Sequence, residues 1–225
     1  MLPRPALLRA LGHRPFALVW SGSLISRVGD FLYELALAWW VLQETGSPTA
    51  MATVLVLAFV PMLVFLLVGG VLVDRLARVR VMFASEVARG VVVTAVAALA
   101  FADALELWHV YIAAFVFGAV DAFFQPAYTA AVPELVPRDD LQSANALSSL
   151  AIQAGRVVGP PVGGVLVAAG GTAFAFGANG LSFFLSAALL LPLLARPAPR
   201  RLADDRSSVF AEARAWLQPA VEGFP

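Results

Sequence analysis

Gly155-Arg156-Val157-Val158-Gly159-Pro160-Pro161-Val162-Gly163-Gly164 is the stretch from which the rest of the chain is best read. Gly155, Gly159 and Gly163 recur every fourth residue, so on a helix they fall nearly on one face. A face without side chains lets a second helix approach to backbone contact. Pro160 and Pro161 free backbone carbonyls and are expected to bend such a helix. Small residues four apart are common in packed helices; Gly-Pro-x-x-Gly-Gly is much rarer.

The surroundings of this stretch are those of a membrane protein. The chain has 225 residues, of which 60% are hydrophobic and 13% charged, and its mean hydropathy is +0.84. A soluble domain is nearer half apolar and about a quarter charged. A soluble core cannot absorb the excess, so lipid is the expected solvent. A spanning helix needs about 20 apolar residues. Six such runs are legible, at about 16–42, 50–73, 81–101, 107–131, 146–169 and 172–194. The breaks between them carry turn chemistry: Gly46-Ser47-Pro48, the charged stretch Asp74 to Arg80, Ala102-Asp103, Pro133 to Asp140, and Gly170-Gly171. The last is so short that the fifth and sixth runs should form a tight hairpin. The first run is too long for a cleaved leader and reads as a retained helix.

Charge excludes some functions and orients the chain. There are 15 basic and 15 acidic residues, no cysteine and two histidines. No basic excess points to nucleic acid. Disulfides, thiolate metal sites and thiol catalysis are excluded, and His13 and His109 are too few for a histidine metal cluster. No run carries a Ser-His or metal-ligand arrangement, so an intramembrane enzyme is not expected, nor is a metal or cofactor. The arginines gather on one side of the six runs. They are Arg4, Arg9 and Arg14, then Arg75, Arg78 and Arg80, then Arg138, then Arg196, Arg200, Arg201, Arg206 and Arg214. The positive-inside rule puts both termini in the cytoplasm. The expected organisation is a helical bundle over 1–195 and a cytoplasmic linker over 196–225. In that linker Val209, Ala213, Trp216 and Ala220 recur at helical spacing, as on a helix lying on the inner membrane surface.

An internal repeat supports this layout. Gly69-Gly70-Val71-Leu72-Val73 recurs as Gly163-Gly164-Val165-Leu166-Val167, and Asp30 has a counterpart in Asp121. The repeat unit is three helices, so its two copies, about 16–101 and 107–194, have opposite orientation. Inverted repeats of this kind mark transporters.

Charges inside the runs are the candidate machinery. Arg27, Asp30 and Glu34 share one face of the first run. Glu86 and Arg89 are one turn apart in the third, and Asp121 and Arg156 lie in the fourth and fifth. Ions of this kind avoid lipid, face an aqueous cavity and pair. Three arginines, Arg27, Arg89 and Arg156, stand against four acids, Asp30, Glu34, Glu86 and Asp121. The surplus acid is a natural proton carrier; a purely structural charge network is the other reading. Asp121, Gln125 and Tyr128 follow i, i+4, i+7 spacing, with Pro126 expected to break the helix among them, and are candidates to line a substrate cavity. His109, beside Trp108 and Tyr111, reads as an interfacial anchor.

Two stretches resemble motifs of the major facilitator superfamily. Gly70-Val71-Leu72-Val73-Asp74-Arg75-Leu76-Ala77-Arg78-Val79-Arg80 is similar to its loop motif between the second and third helices, G-x-x-x-D-[RK]-x-G-x-[RK]-[RK]. It departs at Ala77 and Val79. Here Asp74 can hold a facing helix N-terminus or an arginine, and Arg75, Arg78 and Arg80 can reach anionic headgroups. Gly155, Gly159, Pro160, Gly163 and Gly164 match the helix-five motif associated with antiporters, G-x-x-x-G-P-x-x-G-G. Ser26-Arg27-Val28-Gly29-Asp30, Gln125-Pro126-Ala127, Val132-Pro133-Glu134-Leu135-Val136-Pro137 and Leu141-Gln142-Ser143-Ala144-Asn145-Ala146-Leu147 narrow the resemblance. They look like the drug and siderophore exporter branch, with macrolide efflux pumps and enterobactin exporters. The resemblance implies the N-terminal six-helix half of a twelve-helix fold, in the inner membrane. It implies proton-driven export of an amphipathic small molecule, with a second six-helix half or a second copy as partner. The alternative is a truncated or half-size membrane protein that does not transport without a partner.

Overall fold

The computed structural model describes the backbone of residues 6–73 and 76–195 and the side chains of residues 7–66 and 76–195. Gly70, Asp74 and Arg75 of the loop motif, and the linker over 196–225, lie outside the residues whose side chains are described. Every regular element among the described residues is a helix. Five long helices follow one another: α1 (Arg14–Thr45), α2 (Pro48–Val73), α3 (Arg78–Phe101), α4 (Leu107–Leu135) and α5 (Leu141–Leu194). Short 3-10 turns precede α1 at Ala6–Leu8 and Ala10–Gly12, and α5 at Arg138–Asp140.

Turn chemistry ends these helices where the chain lacks apolar side chains. Gly46 takes a left-handed conformation (φ 60°) and its N–H closes α1 on the Leu42 carbonyl. α4 begins with a reciprocal cap, in which Glu106 accepts from the backbone of His109 while His109 Nδ1 accepts from the Glu106 N–H. Pro126 and Pro133 do not break α4, contrary to expectation; the helix runs through both to Leu135. Pro160 and Pro161 likewise lie within helical backbone. Proline is tolerated inside membrane helices because neighbouring groups re-satisfy the freed carbonyls.

The interruption in α5 falls at Gly171, with φ 78° and ψ 178°. Contacts with α1 show that the chain reverses there. Gly155 lies against Arg27 and Phe31, Gly159 against Phe31 and Val28, and Gly163 against Leu32, so residues 141–170 run parallel to α1. Gly22 lies against Ser186 and Gly29 against Ser182, so residues 172–194 run antiparallel to it. α5 is thus two arms folded on a single glycine, with α1 against both. α2 lies against α4, and α3 contacts α4 and α5. The glycine face is as closely packed as its spacing implied. A Cβ on Gly159 would stand 2.5 Å from Phe31 Cβ and 3.0 Å from the Val28 carbonyl oxygen. Gly164 is off this contact and exposed.

Four stretches are long and apolar enough to cross a membrane: Pro48–Leu66, Arg78–Phe101, Leu107–Leu135 and Arg138–Leu194. The last contains both arms of α5. α1 is long but carries Arg27, Asp30 and Glu34 in its middle. Many large apolar side chains are exposed on the outer faces, Val56, Phe59 and Val64 of α2 and Val157 and Val165 of α5 among them, as suits a bundle solvated by lipid.

The core has two apolar zones. One gathers Phe16 and Val19 with Met82, Phe124, Ala127, Leu147 and Leu190; the other gathers Leu32, Trp40 and Val41 with Val96, Val110, Ala113 and Phe176. Between them lies a belt of polar side chains from α1, α3, α4 and the second arm of α5.

Candidate functional site

The belt is centred on Arg89, halfway along α3 and almost wholly buried. Its guanidinium lies 4.4 Å from the ring centre of Phe124 and 4.7 Å from that of Phe183. These faces attract the cation and shield it from lipid. Three carboxylates surround it. Nη2 is 3.3 Å from Glu86 Oε2, one turn earlier on α3. Nη1 donates to Asp121 Oδ1 on α4 at 3.1 Å and lies 3.9 Å from Asp30 Oδ2 on α1. One arginine therefore ties three helices together at mid-length.

Glu86 is held from its other side. Ser26 Oγ on α1 donates to Glu86 Oε1 at 3.2 Å, and Ser186 Oγ on the second arm of α5 donates to the same oxygen at 2.9 Å. Glu86 has no solvent exposure, whereas the side chains of Asp30 and Asp121 are 30% and 29% exposed. Asn179 and Ser182 extend the polar seam along the same arm, where Ser182 Oγ donates to the Asn179 side-chain oxygen at 3.0 Å.

Sequence pairing is corrected in several places. Arg27 does not bridge to Asp30, although the two are one turn apart. Its Nη2 donates to Gln125 Oε1 at 2.9 Å and its Nε to Ser23 Oγ at 3.2 Å, and its guanidinium stands 5.8 Å from the Tyr128 ring centre. Arg27 projects toward α4, where the Gln125 amide oxygen is within reach. Glu34 is exposed, apart from the cluster, and Arg156 is exposed with its guanidinium 5.8 Å from the Phe31 ring centre. The expected sharing of four acids among three arginines is replaced by one arginine with three acids.

The cavity candidates come together with this set. Asp121 is on Arg89, Gln125 is exposed and on Arg27, and Tyr128 Oη is 2.9 Å from Ser148 Oγ. A separate hollow of about 440 Å³ lies between α3 and α4. Its lining is apolar, Val81, Ala84, Ala88, Val120 and Phe123 among it, with Arg80 and Ser85 as its polar members. Arg78 is not available to headgroups as expected, because its Nη1 meets the Glu134 carboxylate and the Ala130 carbonyl. Arg80 is exposed.

Residue-type reasoning missed the serines and an edge cluster. Ser182 and Ser186, with Asn179, repeat at i, i+3, i+7, a polar stripe visible in the sequence. At the N-terminal end, His13 Nε2 is 2.8 Å from Asp140 Oδ2 and Arg9 Nε is 3.6 Å from Asp140 Oδ1. Ser143 Oγ accepts from the Ala10 N–H and donates to the Leu7 carbonyl, and Trp20 Nε1 donates to the Leu147 carbonyl. The turns before α1 are thereby fastened to the start of α5.

Paired ions buried within an all-helical bundle that exposes large apolar side chains suit a multi-pass membrane protein, and comparison with known proteins agrees. The sequence profile of the transmembrane secretion effector family matches residues 6–213. The chain is 34% identical over 200 residues to the MFS-type transporter YfiS of Bacillus subtilis, covering 88% of this chain and 46% of YfiS. It is 33% identical over 219 residues to the enterobactin exporter EntS of Citrobacter koseri, covering 94% of this chain and 51% of that protein. For EntS of Shigella boydii the identity is 33% over 190 residues, with 83% and 44% covered. The chain spans about half the length of these relatives. It belongs to the transmembrane secretion effector family of the major facilitator superfamily.

Proposed function

We propose that this chain forms the N-terminal six-helix half of a proton-coupled exporter of amphipathic small molecules, a drug or a siderophore. Its six spans are α1 to α4 and the two arms of α5, arranged as two inverted three-helix repeats. The observation that carries the reading is the Arg89 cluster. Two partly exposed carboxylates, Asp30 and Asp121, share one buried cation at mid-length in a family of membrane transporters. A group of that kind can bind a proton from one side and release it to the other when the cavity reopens. The exporter names of the relatives support export as the direction. Their greater length supports pairing with a second six-helix half, or with a second copy, across the face that bears Arg27, Gln125 and Asp121.

In this reading the protein lies in the inner membrane with both termini and the loop before α3 in the cytoplasm. Single cysteines at Gly46 and Asp103 should then react with an impermeant thiol reagent in intact cells, and one at Ala77 should not. The deciding experiment is export driven by an imposed pH gradient in vesicles that carry both halves. Asp30→Asn keeps the shape of the side chain and removes its proton. It should abolish pH-driven export while the amount of inserted protein is unchanged, with Glu34→Gln doing less. Normal export by Asp30→Asn would make Asp30 structural. Expressed without a second half, the chain should not extrude a dye.

A further inference from the structure

The three carboxylates around Arg89 are not equivalent. Glu86 is sealed, and its Oε1 accepts hydrogen bonds from hydroxyls on two different helices while Oε2 lies 3.3 Å from Arg89 Nη2. Both other carboxylates approach a single nitrogen. Nη1 stands 3.1 Å from Asp121 with hydrogen-bonding geometry and 3.9 Å from Asp30 without it. Arg89 Nε and Nη2, Glu86 Oε2 and Asp30 Oδ1 are buried and make no hydrogen bond to the described residues, but Glu86 has the two hydroxyls on its other oxygen and Asp30 has none. Asp30 is therefore the carboxylate with the least compensation, and Arg89 is the only cation among the described residues that contacts it within 4 Å.

We propose that Glu86 is the fixed counter-ion of Arg89 and that Asp30 and Asp121 compete for Nη1, so that neutralising one hands the arginine to the other. The charged and titratable groups around the exchange are Arg27, Asp30 and Tyr33 on α1, Glu86 and Arg89 on α3, and Asp121 and Tyr128 on α4. The second arm of α5 contributes only the neutral Asn179, Ser182 and Ser186. Arg27 is committed to Gln125 and Ser23 and is not a rival donor in this arrangement. With Asp121 ionised, Arg89 joins α3 to α4 and Asp30 is left to take a proton. With Asp121 neutral, Nη1 moves to Asp30 and joins α3 to α1. Glu86 keeps the guanidinium anchored throughout, through Ser26 and Ser186, and is a positioning residue rather than a proton carrier.

The exchange deepens the coupling reading and relies on it only for its use in transport. It is testable without transport on the purified chain in lipid nanodiscs, using a hydrophobic carbodiimide. Such a reagent takes the proton of a neutral carboxyl onto its nitrogen while the carboxylate oxygen adds to its central carbon. The adduct rearranges to a stable N-acylurea that mass spectrometry locates. At neutral pH the wild type should carry the label on Asp30 and not on Glu86. Asp121→Asn should lose the Asp30 label, because Arg89 then holds Asp30 charged. Asp121→Ser serves as a second variant, and a cooperative thermal transition establishes that each is folded. Persistent Asp30 labelling in both variants, or labelling of Glu86 in the wild type, overturns the proposal. If that happens while Asp30→Asn still abolishes pH-driven export, the exchange falls and the coupling reading stands. If the Asp30 label moves as expected in a protein whose export ignores the pH gradient, the exchange stands and the coupling reading falls.

Discussion

The molecule contains two clusters built from the same kinds of residue, and they differ in what surrounds them. At the N-terminal edge, Asp140 faces Arg9 and His13 at 3.6 and 2.8 Å. In the mid-length belt, Arg89 faces Asp121 and Glu86 at 3.1 and 3.3 Å. By distance the two are alike. By exposure they are not: the Arg9 side chain is 60% exposed, the Arg89 side chain 3%. Water screens the edge cluster and would solvate each ion if the pairs opened. In the belt water does not reach Arg89 or Glu86, so a partner lost there can be replaced only by another side chain, and the ions are strongly interdependent although each is costly to bury. Ion-pair distance alone thus says little about which cluster the fold depends on.

Substitutions can break the comparison from its strong end to its weak one. Arg89→Met leaves three carboxylates without their cation and should cost about 3–5 kcal/mol, read as a large fall in the thermal transition in nanodiscs. The double variant Arg89→Met with Glu86→Met removes a buried pair together and should be more stable than the single one. Equal stability would mean that Glu86 does not depend on Arg89. Ser186→Ala removes one of two hydroxyls that hold Glu86 and should cost about 1.5–3 kcal/mol, seen in the same transition. His13→Ala should change stability by less than about 1 kcal/mol, and by less still in added salt. A His13 effect as large as that of Ser186→Ala would show that the N-terminal fastening, not the belt, limits stability.

The two clusters also differ in how far the sequence disclosed them. The apolar runs, the break at Gly170-Gly171 and the glycine face of 155–163 were legible because helical periodicity and the absence of side chains are local properties. The belt was legible as a set of charges but not as a set of pairs. Spacing put Arg27 and Asp30 on one face of one helix without saying which partner each takes, and the fold turns Arg27 across to Gln125 on α4. The contribution of Ser26 and Ser186 was hidden because a serine in an apolar run looks like any small residue until a facing carboxylate gives its hydroxyl an acceptor. Pro126 was misjudged by rules drawn from water, where a freed carbonyl is readily solvated and a helix readily stops. The edge cluster was not anticipated at all. It joins residues more than 120 positions apart in sequence, and each taken alone is an ordinary surface charge.

The fold at Gly171 bears on how the protein is made. Its backbone angles are open essentially to glycine alone, and nothing stands within 4 Å of where a Cβ would be, so conformation rather than space reserves the position. A link of one residue gives the second arm no slack with which to lag behind the first. In the proposed six-span arrangement the two arms are therefore expected to enter the bilayer as one hairpin.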